Sequence, residues 1–247
     1  MKNLFLAILL TVIVGPVAAQ EPLRVVARPF EPFSYLEDGE PAGLEYEILN
    51  YFAKSQGRQL EITWVETFAE LLPRFDQGGF DIATGTITIT PAREEIYDFT
   101  ESYFPVRIHV IEPKGQKVSN LDELKGETLV ANAGTTYEEL LLAVPDAKFV
   151  YAPDELAAFE LLARGEARAG AVDSVLGLVF LPDFPNLHMT LAVSEPQDYG
   201  FVVSTGSPLA GQLNKHIAEL KLAGIYFRLL EDFLGKEAVE MVQAAKE

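Results

Sequence analysis

Residues 81–93 read DIATGTITITPAR, and this stretch decides the fold because a short apolar strand leads within a few residues to the start of a helix. Thr90 can cap a helix whose first position is Pro91, where the missing N–H of proline costs nothing. The same succession recurs along the chain, because candidate helices separate strand-like runs at residues 23–27, 60–65, 82–85, 128–131, 148–151 and 169–172. This alternation predicts an α/β protein with largely parallel sheets.

Two of the intervening segments carry helical signals. Residues 44–55 have apolar side chains at helical spacing and stop before Gly57, at a position where glycine commonly follows a helix. Asp154 is a suitable N-cap for a second helix, which ends near Gly165. Both segments fit the helices that an α/β alternation requires.

Two further strand-like segments, residues 106–113 and 199–205, flank the middle third of the chain. We interpret them as paired crossings between two lobes. The chain has no internal repeat and no low-complexity linker, which argues against independent domains in a row. The expected organisation is a discontinuous first lobe, residues 20–110 with 200–247, and an inserted second lobe, residues 111–199.

The composition excludes several classes of function. The 247 residues carry a formal net charge of −18, which repels phosphates and anionic lipid, so we expect no nucleic-acid partner and no binding to a membrane surface. The absence of cysteine removes disulfides, thiolate metal sites and a cysteine nucleophile. The three histidines are scattered without ligand spacing. We expect a monomer with no metal, no cofactor and no catalytic residue.

The N-terminus has the order of a secretory signal peptide. Lys2 precedes an apolar run at residues 4–14, and the segment ends in small residues at Ala19. The run is shorter than the roughly 20 residues that cross a bilayer. We expect cleavage after Ala19 and no membrane insertion of the mature chain. Because no cysteine is available for a lipid anchor, we expect a free protein in the periplasm of a bacterium with two membranes.

The residues around Arg93 favour a carboxylate receptor. A position in the first turn of its helix brings the guanidinium near the Thr86 and Thr88 hydroxyls, which we expect to face one side because they alternate with Ile87 and Ile89 after the strand at residues 81–84. A guanidinium matches two carboxylate oxygens at once. The same pattern also fits a surface arginine on a capped helix, with threonines present for their strand propensity. The residues alone leave both interpretations open.

Other candidate residues lie at predicted strand ends. A capping box starts at Thr135, and the helix that Thr136 begins offers free N–H groups to an anion. Asp173 ends a strand at the edge that faces the ligand crevice in open α/β sheets. Its carboxylate can pair with an ammonium group or cap the next helix. Phe30 and Phe68 stand near the same edges, where they fit a ligand pocket or the core.

In these motifs, and over nearly the whole chain beyond the predicted signal peptide, the sequence resembles the family 3 extracellular solute-binding proteins, the amino-acid receptors of ABC importers. The most specific combination is Thr88-Ile89-Thr90-Pro91-Ala92-Arg93 followed in order by Gly134-Thr135-Thr136. Further family-like stretches are residues 23–33, 43–53, 80–81, 98–100, 121–126, 161–173, 199–200 and 213–235. The resemblance implies a two-lobed, type II periplasmic-binding-protein-like fold that closes like a venus flytrap about two hinge crossings.

The resemblance also implies how a small amino-acid-like ligand is held. Arg93, with Thr88 and Thr136, would bind its α-carboxylate. Asp173, with Thr88 and the backbone near Thr86, would bind its α-ammonium group. The ligand would then bridge the lobes, stabilise the closed state and pass to the membrane permease of an ABC importer.

The implied side-chain pocket is lined by Phe30 and Phe68. The sequence departs from the family there, because Arg28 stands where an acidic or polar residue usually precedes the aromatic one, the segment is one residue shorter, and Glu31 follows Phe30. Arg28 would either select an acidic ligand side chain or lie at the surface. A second departure is Arg168, which stands where an aspartate is common and which we interpret as facing solvent.

Two other functions remain open. Cyclohexadienyl dehydratases resemble the same family and act on prephenate or arogenate, and their chemistry needs a general acid over the leaving hydroxyl. Glu31, Glu66 or Glu138 is available for that role, yet none lies in a motif that demands it, so we expect no enzyme activity. The same fold also serves as a sensor, in which case a signalling receptor would be the partner.

Overall fold

The computed structural model describes residues 20–244, which contain fourteen strands and nine α-helices. The strands are β1 (Leu23–Ala27), β2 (Tyr35–Glu37), β3 (Glu40–Ala42), β4 (Leu60–Trp64), β5 (Ile82–Thr84), β6 (Asp98–Phe99), β7 (Phe104–Val106), β8 (Ile108–Pro113), β9 (Thr128–Asn132), β10 (Lys148–Ala152), β11 (Ala169–Asp173), β12 (Leu187–Ala192), β13 (Gln197–Tyr199) and β14 (Val202–Val203). The helices are α1 (Leu44–Ser55), α2 (Phe68–Asp76), α3 (Pro91–Glu94), α4 (Thr136–Leu142), α5 (Glu155–Ala163), α6 (Ser174–Phe180), α7 (Leu209–Leu222), α8 (Ile225–Leu234) and α9 (Lys236–Ala244). None of these helices has the length and apolar character needed to cross a bilayer. The predicted signal peptide, residues 1–19, lies outside the described residues and stays a prediction.

Two five-stranded sheets divide the fold into two lobes. The first sheet has the order β4-β1-β5-β14-β6, with β1 parallel to β4 and β5 and with β14 antiparallel to both of its neighbours. The second has the order β10-β9-β11-β8-β12, in which β9 is parallel to β10 and β11 and β8 runs against β11 and β12. The predicted two-lobed α/β fold is confirmed, and its antiparallel pairs involve the strands next to the crossings.

The chain crosses between the lobes twice, and the two crossings pair with each other. β7 and β13 form an antiparallel two-stranded sheet in which Phe104 lies opposite Tyr199. This pairing lies a few residues earlier than the segments 106–113 and 199–205 that we identified as crossings. Those segments continue into the lobes, because β8 belongs to the second sheet and β14 to the first. The lobe limits given above stay a prediction.

Apolar side chains alternate between the two faces of each sheet, as the period of two of a strand requires. In the first sheet Val25 and Val203 pack with α1, α7 and α8, whereas Val26 and Val202 pack with α2 on the other face. The second sheet is covered by α5 on one face and α4 on the other. Helices on both faces leave the ends of the strands as the accessible edges.

The predicted helix starts and ends agree with the structure. Helix α1 occupies residues 44–55, and Asp154 caps α5 with its carboxylate, which accepts a backbone N–H at 2.8 Å. Thr90 caps α3, since its hydroxyl accepts the backbone N–H of Arg93 at 3.3 Å, and Pro91 is the first helical residue. The cap places Arg93 in the first turn, as predicted.

Buried aromatic rings join the crossings to the first lobe. Tyr103 stacks on Phe201 with ring centres 4.6 Å apart, and Phe33 packs edge-on against Phe104 and Tyr199. Burial of each such side chain contributes roughly 1.5–3 kcal/mol to folding. Because β7 and β13 carry Phe104 and Tyr199, the paired crossings are firmly anchored at their first-lobe end.

Candidate ligand-binding site

The candidate site lies where strand ends from both sheets meet. In the first lobe β1 is followed by Arg28, and the segment after β5 leads to Arg93. In the second lobe β9 leads to Gly134, and β11 ends at Asp173. Arg93 reaches across the cleft, where its Nη2 donates to the carbonyl oxygen of Gly134 at 3.3 Å. Ligands of open α/β sheets bind at such carboxyl-terminal strand edges.

Arg93 is a buried cation of the first lobe. The residue is 9% exposed, its Nη1 donates to the carbonyl oxygen of Thr88 at 2.8 Å, and its guanidinium carbon lies 5.4 Å from the centre of the Phe68 ring. Burial lowers its pKa. Two of the five N–H donors of a guanidinium are used for carbonyl oxygens, which leaves others for a carboxylate. The alternative of a surface arginine is wrong.

Thr86 and Thr88 are brought to the site in a different way from the one predicted. The strand before them ends at Thr84, as predicted, and Thr86 adopts a left-handed φ of 57° that the alternation with isoleucines does not indicate. The Thr86 hydroxyl donates to the carbonyl oxygen of Gly85 at 2.7 Å and accepts from Arg28 Nη2 at 3.2 Å. Its backbone N–H donates to Glu45 at 2.8 Å. Thr86 therefore binds the side chains of Arg28 and Glu45. Thr88 is buried beside Arg93.

Asp173 is the buried anion of the second lobe. It has no exposed surface, and its Oδ2 accepts hydrogen bonds from the hydroxyls of Tyr199 and, at 3.2 Å, of Tyr137. Burial raises the pKa of its carboxyl to about 6, although the hydrogen bonds from the two tyrosines lower it. Asp173 precedes α6 but makes no capping hydrogen bond with its side chain. The carboxylate is therefore held by two tyrosine hydroxyls and does not cap the helix.

The second oxygen of this carboxylate, Oδ1, is buried without a hydrogen-bond partner among the described residues. Nearly all buried polar atoms in folded proteins have a partner, so an orphan acceptor requires an explanation. Leaving one unsatisfied costs about 1–3 kcal/mol. A ligand donor that reaches Asp173 would remove this cost.

The start of α4 faces the first lobe. The Thr135 hydroxyl accepts the backbone N–H of Glu138 at 3.2 Å, as predicted, but the Glu138 carboxylate accepts from Gly134 at 2.7 Å instead of Thr135. Only half of the predicted capping box therefore forms. Thr136 is buried and borders a pocket of about 770 Å³ that also touches Pro91 of the first lobe. This places Thr136 at an opening between the lobes.

Phe30 and Phe68 are two buried aromatic rings beside Arg28. They are 6% and 8% exposed, and Phe30 packs edge-on against Phe180 of the second lobe with ring centres 6.1 Å apart. The guanidinium carbon of Arg28 lies 4.6 Å from the centre of the Phe30 ring and 5.2 Å from that of Phe68. The guanidinium of Arg28 therefore lies over the faces of both rings.

The surface position considered for Arg28 is wrong. Its side chain is 3% exposed, and it binds Glu155 of the second lobe through two hydrogen bonds, Nη1 to Oε2 at 2.8 Å and Nη2 to Oε1 at 2.7 Å. Burial alone would lower the pKa of Arg28, but the charge and hydrogen bond of Glu155 raise it above its ordinary value. Sequence reasoning missed Glu155, which follows the cap Asp154 just beyond β10. No local pattern in the sequence indicates the pair, because its two residues lie 127 positions apart.

Other polar residues of the cleft were also missed. Glu45 is fully buried and accepts from the backbone of Thr86 and from the hydroxyls of Tyr103 and, at 3.2 Å, of Ser34. It stabilises the loop that follows β5. Outside the cleft, Arg168 does not simply face solvent as expected, because it pairs with a buried glutamate of β8 at 2.6 Å.

The glutamates considered for acid catalysis do not meet in the cleft. Glu31 and Glu66 are exposed, and the Glu138 carboxylate is bound to the backbone N–H of Gly134. Within residues 20–244, no group of three or more His, Asp or Glu side chains is arranged to hold a metal ion.

Known proteins share this sequence and architecture. The profile of the bacterial extracellular solute-binding proteins, family 3, matches residues 23–236. The amino-acid-binding protein AabA of Dichelobacter nodosus is 25% identical over 78% of the chain and 79% of its own length. The membrane-bound lytic murein transglycosylase F of Photobacterium profundum is 29% identical over 81% of the chain, which spans only 41% of that larger protein.

A solved structure agrees in fold. The substrate-binding protein of an amino acid ABC transporter superposes with a TM-score of 0.78 at 26% identity, over 88% of this chain and 100% of that one.

Proposed function

Because the chain belongs to the bacterial extracellular solute-binding proteins, family 3, we propose that it captures an amino acid or a similar small zwitterion between its lobes and delivers it to the permease of an ABC importer. One relative is an amino-acid-binding protein, and one structural neighbour serves an amino acid ABC transporter. We propose the periplasm as its location, on the basis of the signal peptide predicted at residues 1–19.

The observation that carries this proposal is the buried Oδ1 of Asp173, which has no hydrogen-bond partner within residues 20–244. An α-ammonium group would supply the missing donor and the positive charge, with Thr88 and the backbone near Thr86 as additional partners. Arg93 would bind the α-carboxylate together with Thr88 and Thr136. The charges of Arg93 and Asp173 lie close enough for each to affect the pKa of the other. A zwitterion matches this pair of opposite charges better than an ion of either sign does.

Closure follows from the placement of the two charges on different lobes. A ligand that binds Arg93 and Asp173 together has its full set of partners only when the lobes are closed. It therefore binds the closed state more tightly and shifts the population toward it. The paired strands β7 and β13 are the two segments about which such a motion turns.

Simple binding is favoured over a dehydratase on the same scaffold. Acid catalysis needs a proton donor within hydrogen-bond reach of the leaving group. Glu31 and Glu66 are exposed, and the carboxylate of Glu138 is bound to backbone. We therefore propose that the chain releases its ligand unchanged.

The proposal is tested by a thermal-shift panel of the common amino acids, with their decarboxylated amines and deaminated acids as controls. We expect at least one amino acid to raise the melting temperature, because a ligand that binds only the folded state stabilises it by mass action. The matching amine and acid should give a much smaller shift, since each lacks one of the two charges. Equal shifts with a lone amine or a lone acid would contradict the zwitterion clamp.

Binding should weaken as the pH falls through 6. The pKa of Asp173 is raised to about 6 by burial, and only its ionised form pairs with an ammonium group. Ionisation falls from about nine tenths at pH 7 to about one tenth at pH 5, so Kd should rise about tenfold between these values. Calorimetric titration at pH 5, 6, 7 and 8 measures this change. A Kd that is constant from pH 5 to 7 would show that Asp173 is not the ammonium partner.

A further inference from the structure

The Arg28–Glu155 pair is the ion pair that connects the lobes, since each of the others formed by residues 20–244 lies within one lobe. The two side chains are 3% and 2% exposed and form two nearly equal hydrogen bonds. Such a bidentate geometry fixes orientation as well as distance. The pair therefore occupies a defined place in the closed cleft.

The pair lies beside Arg93, which with Asp173 is the proposed binding site for the charged groups of the ligand. The guanidinium of Arg28 covers the rings of Phe30 and Phe68, and the guanidinium of Arg93 lies over the same Phe68 ring. The resemblance to the family 3 proteins implies that these rings line the space for the ligand side chain, and we assume this role for them. The Arg28–Glu155 pair therefore borders the part of the cleft where amino acids differ from one another.

The pairing of the buried charges depends on the net charge of the ligand side chain. Arg93 and Asp173 are matched by the carboxylate and ammonium groups that all amino acids share, and Arg28 and Glu155 match each other. An uncharged ligand side chain leaves all four charges compensated. An acidic side chain would compete with Glu155 for Arg28, and a basic one would compete with Arg28 for Glu155. Either competition leaves a buried charge without a partner, which is strongly unfavourable.

We propose that the buried Arg28–Glu155 pair selects amino acids whose side chains carry no net charge. This selection rests on the proposed function, because it assumes that Arg93 and Asp173 hold the backbone groups of the ligand. It differs from the sequence-based suggestion that Arg28 selects an acidic side chain, since Glu155 already occupies that position. The two residues act as one specificity-determining unit supplied by both lobes.

The test compares four proteins by thermal shift and calorimetry against the same amino-acid panel: the unaltered chain, Arg28→Gln, Glu155→Gln and the double variant. We expect the unaltered chain to respond only to uncharged side chains. Relative to the best uncharged ligand, Glu155→Gln should gain at least tenfold in affinity for glutamate or aspartate. Arg28→Gln should gain as much for lysine or arginine. The double variant should again prefer uncharged side chains.

Arg168→Gln is the matched control, because it breaks an ion pair with buried Glu112 inside the second lobe. It should leave the ligand preference unchanged. If Glu155→Gln is too unstable alone, the panel is run as a rescue, in which glutamate or aspartate restores folding and uncharged amino acids do not.

The outcomes separate this proposal from the proposed function. A charged amino acid as best ligand of the unaltered chain, or single variants with unchanged preference, would overturn the selection while leaving amino-acid binding intact. A chain that responds to no amino acid would overturn both.

Discussion

Replacing Asp173 by asparagine is expected to weaken amino-acid binding by at least about 100-fold, because the ammonium group of the ligand loses its buried counter-charge. The substitution keeps the size of the side chain and an oxygen for the hydroxyls of Tyr137 and Tyr199. Calorimetric titration at pH 7 with the best ligand of the panel measures the loss. Asp183→Asn, which changes an exposed aspartate of the second lobe, should bind as the unaltered chain does.

The same variant should not be less stable than the unaltered chain when ligand is absent. Because the pKa of Asp173 is raised from 3.8 to about 6, the folded chain binds more protons than the unfolded chain between these values. Stability contributed by the protonated form is therefore lost as the pH rises to 6, and at pH 7 ionisation of this group opposes folding by up to about 3 kcal/mol. Loss of both binding and stability in Asp173→Asn would instead indicate a structural role.

Replacing Arg93 by lysine should weaken binding by about 100-fold, although the charge is kept. A lysine has one ammonium group and cannot bind both oxygens of a carboxylate with a planar fork. It also cannot bind the carbonyl oxygens of Thr88 and Gly134 in the same geometry while it holds a ligand. The measurement is again calorimetric titration with the best ligand of the panel.

The matched control for this variant is Arg228→Lys, which alters an exposed arginine of α8 and should leave Kd unchanged. Circular dichroism should show that both variants are folded. An Arg93→Lys protein with a Kd within threefold of the unaltered chain would mean that another group binds the carboxylate.

The fold was largely predictable because the inner parallel strands β1, β5, β9 and β11 are mostly buried and carry mostly apolar residues. The predicted bounds of β1 and α1, residues 23–27 and 44–55, agree with the structure. An apolar run and the helical spacing of apolar residues within each segment are enough to identify these two elements. The conformation of the region after β5 was not predicted, because Thr86 has a left-handed backbone that its alternating sequence does not indicate. Its hydrogen bonds to Glu45 and Arg28 come from distant elements that local patterns do not contain.

The places of some candidate site residues in the fold could also be predicted from the sequence. Arg93 and Asp173 lie at strand and helix ends that the sequence marks, so their arrival at the cleft follows from the topology of an α/β sheet. Glu155 lies 127 residues from its partner Arg28, and no local spacing relates them. A bidentate pair of this kind depends on how the two lobes face each other, which the order of strands alone does not determine.

The position of β14 in the first sheet has a consequence for the order of assembly. This strand lies between β5 and β6, where Val202 pairs with both Ala83 and Phe99. A chain emerging from its N-terminus contains every strand of the second sheet by Ala192, whereas the first sheet still lacks its inner strand. The second sheet can therefore form before the first sheet is complete. Until β14 is inserted, β5 and β6 each have an unpaired edge, and such edges promote aggregation.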